Sequence, residues 1–192
     1  MNAASRYWQL VQIKSSGGCQ IVEQTLAKTW LQAQFLLADQ LNESDEYSLQ
    51  RRLWQQWQDG DESADIALLC LRCFISHHIY RVCLQLTRQF GEAYGFRAED
   101  LFPFVLDDDG QPIDSYEPFS LKILRTYDIE RAGLATWTTR RVKHHSELDQ
   151  FLQSHGLYRG SDCLDGCPID VGDRGDKRRD SALTGQLPAE FR

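Results

Sequence analysis

Between Phe119 and His145 the sequence gathers the cations Lys122, Arg125, Arg131, Arg140, Arg141 and Lys143 against the acids Asp128 and Glu130, with Trp137 among them. Cations neutralise phosphates and aromatic faces stack on bases, so this mixture suits a nucleic acid. Trp137 and Arg141 are four residues apart, and Arg140 and Lys143 three. On a helix each pair shares a face, whereas Arg140 and Arg141 diverge by about 100°. Two other groups could bind metal. Cys70, Cys73 and His77 fall along one helical face, but structural zinc sites draw ligands from separate elements to close a tetrahedron. Buried cysteine behaves as a small hydrophobe, and core packing is the expectation for these thiols. Asp107-Asp108-Asp109-Gly110 has neither the alternating spacing nor the terminal Glu of a calcium loop, and reads as a turn. No metal site or cofactor is expected. His77-His78 and His144-His145 lack a nucleophile motif, and there is no glycine-rich phosphate loop, so the chain is not read as an enzyme.

These residues need helices to position them. Pro118 suits the start of one, on which Phe119, Ile123, Leu124 and Tyr127 form an apolar face with Lys122 and Arg125 turned away. A turn through Tyr127 to Gly133 follows, Gly133 being free to take positive φ. A second helix from about Leu134 buries Leu134, Trp137 and Val142. Upstream, residues 1–24 are mixed, with a loop at Ser15–Gly18. Helices are expected from Thr25 to about Leu41 and from Glu46 to about Gly60. Ser63 is placed as the cap of the longest helix, Ala64 to about Phe90, which is apolar nearly all round, as suits a buried central element, and ends at Gly91. Residues 91–118 are the least regular part. A short helix capped at Ser146 carries Leu148, Phe151 and Leu152 and stops at Gly156. Residues 159–192 lose apolar periodicity and are expected to be a disordered tail. The domain plan is thus 1–62, a helical domain over 63–158, and the tail.

The composition is that of a globular protein, 42% hydrophobic and 26% charged. No membrane-spanning run and no signal segment at Met1 are expected, and a cytoplasmic location without a membrane partner is the corresponding expectation. The cysteines are then read as reduced thiols. A net charge of -7 argues against indiscriminate nucleic-acid binding, but its distribution is uneven. The stretch 92–118 is rich in acids and has Arg97 as its one cation, beside the basic stretch that follows. A DNA reader with a separate protein-docking face would look this way, and so would a mixed solvated surface.

The order Lys122-x-x-x-x-Tyr127-Asp128-x-x-Arg131-Ala-x-Leu134-Ala135-Thr136-Trp137, closing on Arg140-Arg141-Val142-Lys143, resembles region 2 of bacterial RNA polymerase sigma factors. The resemblance covers roughly residues 64–145. It departs from the family at Ala132, where a glycine is usual, and at Arg140-Arg141, where housekeeping members carry a tryptophan pair. It implies an all-α compact bundle that docks on core RNA polymerase and contacts promoter DNA. By this resemblance Asp100, Leu101, Lys122, Arg125, Asp128 and Arg131 belong to the polymerase-binding set. Thr136, Trp137, Arg140, Arg141, Lys143 and His144 belong to the DNA-binding set. The family's helix-turn-helix domain has no room after residue 158, so the chain is expected to be a truncated member. A regulatory protein that uses a sigma-like fold to bind a protein and no DNA is the alternative.

Overall fold

The longest apolar stretch of the sequence becomes the axis of the molecule. The structure is a computed structural model and describes residues 3–34, 43–113 and 116–158. Helix α3 (Ala64–Leu86) buries Ala67, Leu68, Cys70, Leu71, Phe74, Ile75, Ile79, Val82, Cys83 and Leu86, residues that cover most of its circumference. It runs on through a π-helical turn, Thr87–Gly91, into a last short piece, α4 (Glu92–Tyr94). The stretch Ala64–Tyr94 is long enough to span a bilayer and contains an 18-residue window apolar enough to do so, with a mean hydropathy of 1.3, but 72% of that window is buried inside the protein. The core accounts for its apolarity.

Two helix ends differ from the sequence expectation. Gly91 does not end the helix. It sits inside it, where a Cβ would meet the Phe96 carbonyl at 2.6 Å, and the stop falls at Gly95 with φ of 70°. Ser63 occupies the N-cap position of α3 without capping it. Its N–H and hydroxyl both donate to Asp61 instead, at 2.8 and 2.7 Å.

Around α3 the described residues are mostly helical, as expected, with one two-stranded hairpin added. A turn of 3-10 helix, Ala3–Tyr7, leads into β1 (Gln9–Ile13), which pairs antiparallel with β2 (Cys19–Glu23). The expected Ser15–Gly18 loop is the hairpin turn, closed by the Lys14 N–H on the Gly18 carbonyl at 2.7 Å. β1 lies on α3, where the Val11 N–H donates to the buried Ser76 hydroxyl at 2.9 Å. Helix α1 (Thr25–Gln34) starts where expected, and the rest of that expected helix lies outside the described residues. Helix α2 (Glu43–Asp59) buries Leu49 and Leu53 and packs along α3. The segments before and after Ser63 therefore share one core. The expected disordered tail, 159–192, lies outside the described residues.

The stretch 91–118 holds a helix that sequence periodicity missed, α5 (Ala98–Val105). Its N-terminus is fixed by the Asp100 carboxylate, which accepts from the Arg97 N–H at 2.7 Å. After it the three aspartates form a turn in which each has its own task. Asp107 accepts from the Phe119 N–H at 2.9 Å and caps α6 (Phe119–Arg125). Asp108 is buried and bonded to Arg72 of α3 at 2.9 Å through Nε, to the Gly110 N–H and to the Ser120 hydroxyl. Asp109 accepts from the Gln111 N–H at 3.0 Å. Helices α7 (Leu134–Lys143) and α8 (Ser146–Ser154) are the last elements among the described residues. The cap of α8 is His145 rather than Ser146, its Nδ1 accepting from the Leu148 N–H at 3.4 Å.

Candidate nucleic-acid interface

Three buried residues decide what α7 presents. Leu134, Thr138 and Val142 recur every four residues and face inward. By helical geometry the opposite line is Thr136, Arg140 and Lys143, with Trp137 and Arg141 on one flank. The burial agrees: Thr136, Arg140, Arg141 and the following His144 are exposed, and Lys143 and Trp137 are half-buried. Cations in the last turn and just beyond it also suit the negative end of the helix dipole.

Helix α6 is held from both sides. Phe119, Ile123 and Leu124 are buried, and Lys122 and Arg125 are exposed. The connection to α7 is organised by Asp128, whose carboxylate accepts from the Glu130 N–H at 3.1 Å and pairs with Arg131 at 2.9 Å. Gly133 does not use positive φ. It is the N-cap of α7 with φ of -63°, and its carbonyl accepts from the Trp137 N–H at 3.0 Å.

Trp137 meets Tyr127 edge-on, with ring centroids 6.2 Å apart. The indole thus closes the hairpin between the two helices as well as reaching the surface. Tyr127 is 6% exposed, and burial pushes its phenol up to about 12. Beside this turn, between it and α2, lies a cavity of about 550 Å3 with Arg51, Trp54, Gln55, Tyr127, Asp128 and Glu130 among its walls. Trp54 Nε1, Tyr127 Oη and Trp137 Nε1 are buried and have no hydrogen-bond partner among the described residues.

The two sets named by the resemblance do not stay apart. His145, beside the end of α7, is held below the usual imidazole range first by burial, and then by the charges of Lys122 and Arg141, with Glu147 and Asp107 acting against them. Lys122 and Arg141 therefore both lie near His145. Arg125 is tied to Glu117 at 2.9 Å, and Arg131 to Asp128. Among the described residues, no ion pair involves Lys122, Arg140, Arg141 or Lys143.

Asp100 is exposed but occupied as the α5 cap. Leu101 is fully buried, so it belongs to the core and offers no surface to a polymerase. Part of the acidic stretch is likewise used internally, Asp107 and Asp108 on α6 and Arg72, and Glu117 on Arg125. The thiols of Cys70, Cys73 and Cys83 are buried, and burial pushes Cys70 and Cys83 up to about 12. Among the described residues no group of three His, Cys, Asp or Glu side chains is placed to hold a metal ion.

No protein-family model, no curated protein and no solved structure matches this chain.

Proposed function

We propose that this chain is a sigma-like protein of transcription initiation, docking on core RNA polymerase and contacting promoter DNA through α7. The observation that carries the reading is the contrast between cations. Arg6, Lys28, Arg51, Arg72, Arg125 and Arg131 are each within ion-pair distance of a carboxylate. Lys14, Arg81, Arg88 and Arg97 are outside any such pair among the described residues as well, but they are spread over other elements, whereas Lys122, Arg140, Arg141 and Lys143 fall together on α6 and α7. A basic face left without internal acids is what phosphate binding uses. Arg140 and Lys143 would track one strand's phosphates, Arg141 and Lys122 the neighbouring ones, and Trp137 would stack at the edge of an opened duplex.

The test is a salt titration of promoter-DNA binding in the presence of core polymerase. Arg140→Ala and Arg141→Ala should each lower the slope of log K against log salt by about one unit, nearly regardless of sequence. An unchanged slope in both would overturn the reading. A second reading, a regulator that binds a protein partner and no DNA, is favoured by the packing of Trp137 against Tyr127. Retention of core polymerase by the tagged chain, with no DNA binding at any salt, would select it.

A further inference from the structure

The hairpin register leaves one strand edge unused. Gln24 donates to the Trp8 carbonyl and Lys14 to the Gly18 carbonyl, each at 2.7 Å, and the Cα partners run from Gln9 with Glu23 to Ile13 with Cys19. Antiparallel pairs alternate between bonded and non-bonded. Pairs 8–24, 10–22, 12–20 and 14–18 are therefore the bonded ones. Gln9, Val11 and Ile13 turn their N–H and C=O groups away from β2, and Cys19, Ile21 and Glu23 turn theirs away from β1.

The outer edge of β1 is covered by α3, whose Ser76 hydroxyl accepts from the Val11 N–H. The outer edge of β2 has no such cover. Among the described residues nothing bonds the backbone of Cys19, Ile21 or Glu23 on that side. Ile21 is 52% exposed there, and Leu26, just past the strand, is 73% exposed. Edges that must stay single usually carry lysine, proline or a bulge. β2 carries none of these, and its one charge, Glu23, is paired with Lys28 at 2.9 Å.

We propose that the free edge of β2 is a self-association surface, pairing antiparallel with β2 of a second copy about a two-fold axis at Ile21. This register sets Ile21 against Ile21 of the second copy, and Cys19 against its Glu23. Every one of these residues points its backbone groups outward, so all three pairs are of the bonded kind, each exchanging two hydrogen bonds. The two exposed isoleucines meet on the axis. Each Glu23 faces a cysteine rather than another carboxylate, so the register sets no like charges opposite each other. The product is a four-stranded sheet whose outer strands are both β1, already covered by α3. Pairing therefore closes at two copies and does not propagate.

The full-length chain is tested by sedimentation equilibrium between about 1 μM and about 1 mM, the range of weak association. A concentration-dependent dimer is expected. Ile21→Pro removes the central outward N–H and leaves the ladder to β1 intact, because that N–H does not face β1. It should raise the dimer Kd about tenfold or more. Ile21→Lys keeps every backbone donor but opposes two ammonium groups, and should act the same way. Amide exchange on the parent protein keeps the idea testable if a variant misfolds. At high concentration the amides of Cys19, Ile21 and Glu23 should be protected and should lose protection on dilution, while those of Gln20 and Val22 hold at both. A monomer throughout the range, or a dimer in which the Ile21 amide exchanges freely, would overturn the proposal. It stands independently of the nucleic-acid reading.

Discussion

Trp137 has two tasks that one substitution cannot separate. Its ring covers Tyr127 while part of it stays exposed, so Trp137→Ala removes packing and any base contact together. For a half-buried indole the stability cost should be about 2 kcal/mol, below the value for a fully buried one. Trp137→Phe keeps an aromatic edge against Tyr127 and should cost less than about 1 kcal/mol in urea melts. If the phenylalanine variant folds like the parent but loses about 1 kcal/mol of affinity for forked promoter DNA, stacking by the larger indole is supported. If both variants bind as the parent does, the indole serves only the hairpin. Next to it, Thr138 is fully buried and its hydroxyl has no partner among the described residues. Thr138→Val should therefore raise stability by about 1 kcal/mol, since an unbonded buried hydroxyl carries a desolvation cost that a methyl does not. At this scale the residue types were legible in the sequence and their partners were not. Nothing local distinguishes Arg125, tied to Glu117, from Arg140, which is outside any ion pair. The burial of Leu101 depends on a helix whose periodicity is too short to read.

Helix α3 was legible because a long run of apolar residues on all faces has few other homes. The hairpin was not, although Val11, Ile13, Ile21 and Val22 flank a Ser-Gly turn. Five-residue strands give too few alternations to stand out, and both faces of this one are partly covered. One consequence of burying α3 shows in acid. His77 and His78 are both held below the usual imidazole range by burial, His78 down to about 3, with Arg6, Arg81 and His77 adding to the effect on His78. An unfolded histidine titrates near 6.5. Below that pH the unfolded chain takes up protons that the folded one refuses, so ∂ΔG/∂pH is positive there. Stability should be intact above about pH 6.5 and fall steadily as the pH drops toward about 3. His78→Phe, which keeps a ring against Phe74 (4.4 Å between centroids in the parent), should flatten this dependence. Urea midpoints at pH 7.5 and pH 5 measure it, and equal slopes for parent and variant would show that His78 is not responsible.

Distant elements of the described fold are tied together by a pair that no local pattern announces. Arg72 is a lone cation on the buried side of α3, and Asp108 lies 36 positions further along the chain; their side chains are 4% and 3% exposed. The arginine also donates to the Gln111 carbonyl at 2.9 Å, and Ser120 of α6 donates to the same aspartate. One carboxylate thus joins the central helix, the 106–111 loop and the start of the helix that bears Lys122. A buried ion pair adds little over a well-packed apolar pair of the same volume, but removing one member strands the other charge. Asp108→Ala should therefore cost about 3–5 kcal/mol, whereas Arg72→Met combined with Asp108→Leu should recover most of that loss. The position of the clasp predicts where the damage appears. In Asp108→Ala the amides of Phe119–Arg125 and Leu134–Lys143 should lose exchange protection before those at the centre of α3, because α3 retains the rest of its apolar surroundings. The basic face would then loosen while the core persists, and under the proposed function any DNA binding would fall further than global stability alone accounts for. A loss below about 1 kcal/mol with α6 and α7 still protected would mean that apolar packing, not the clasp, orients the basic face.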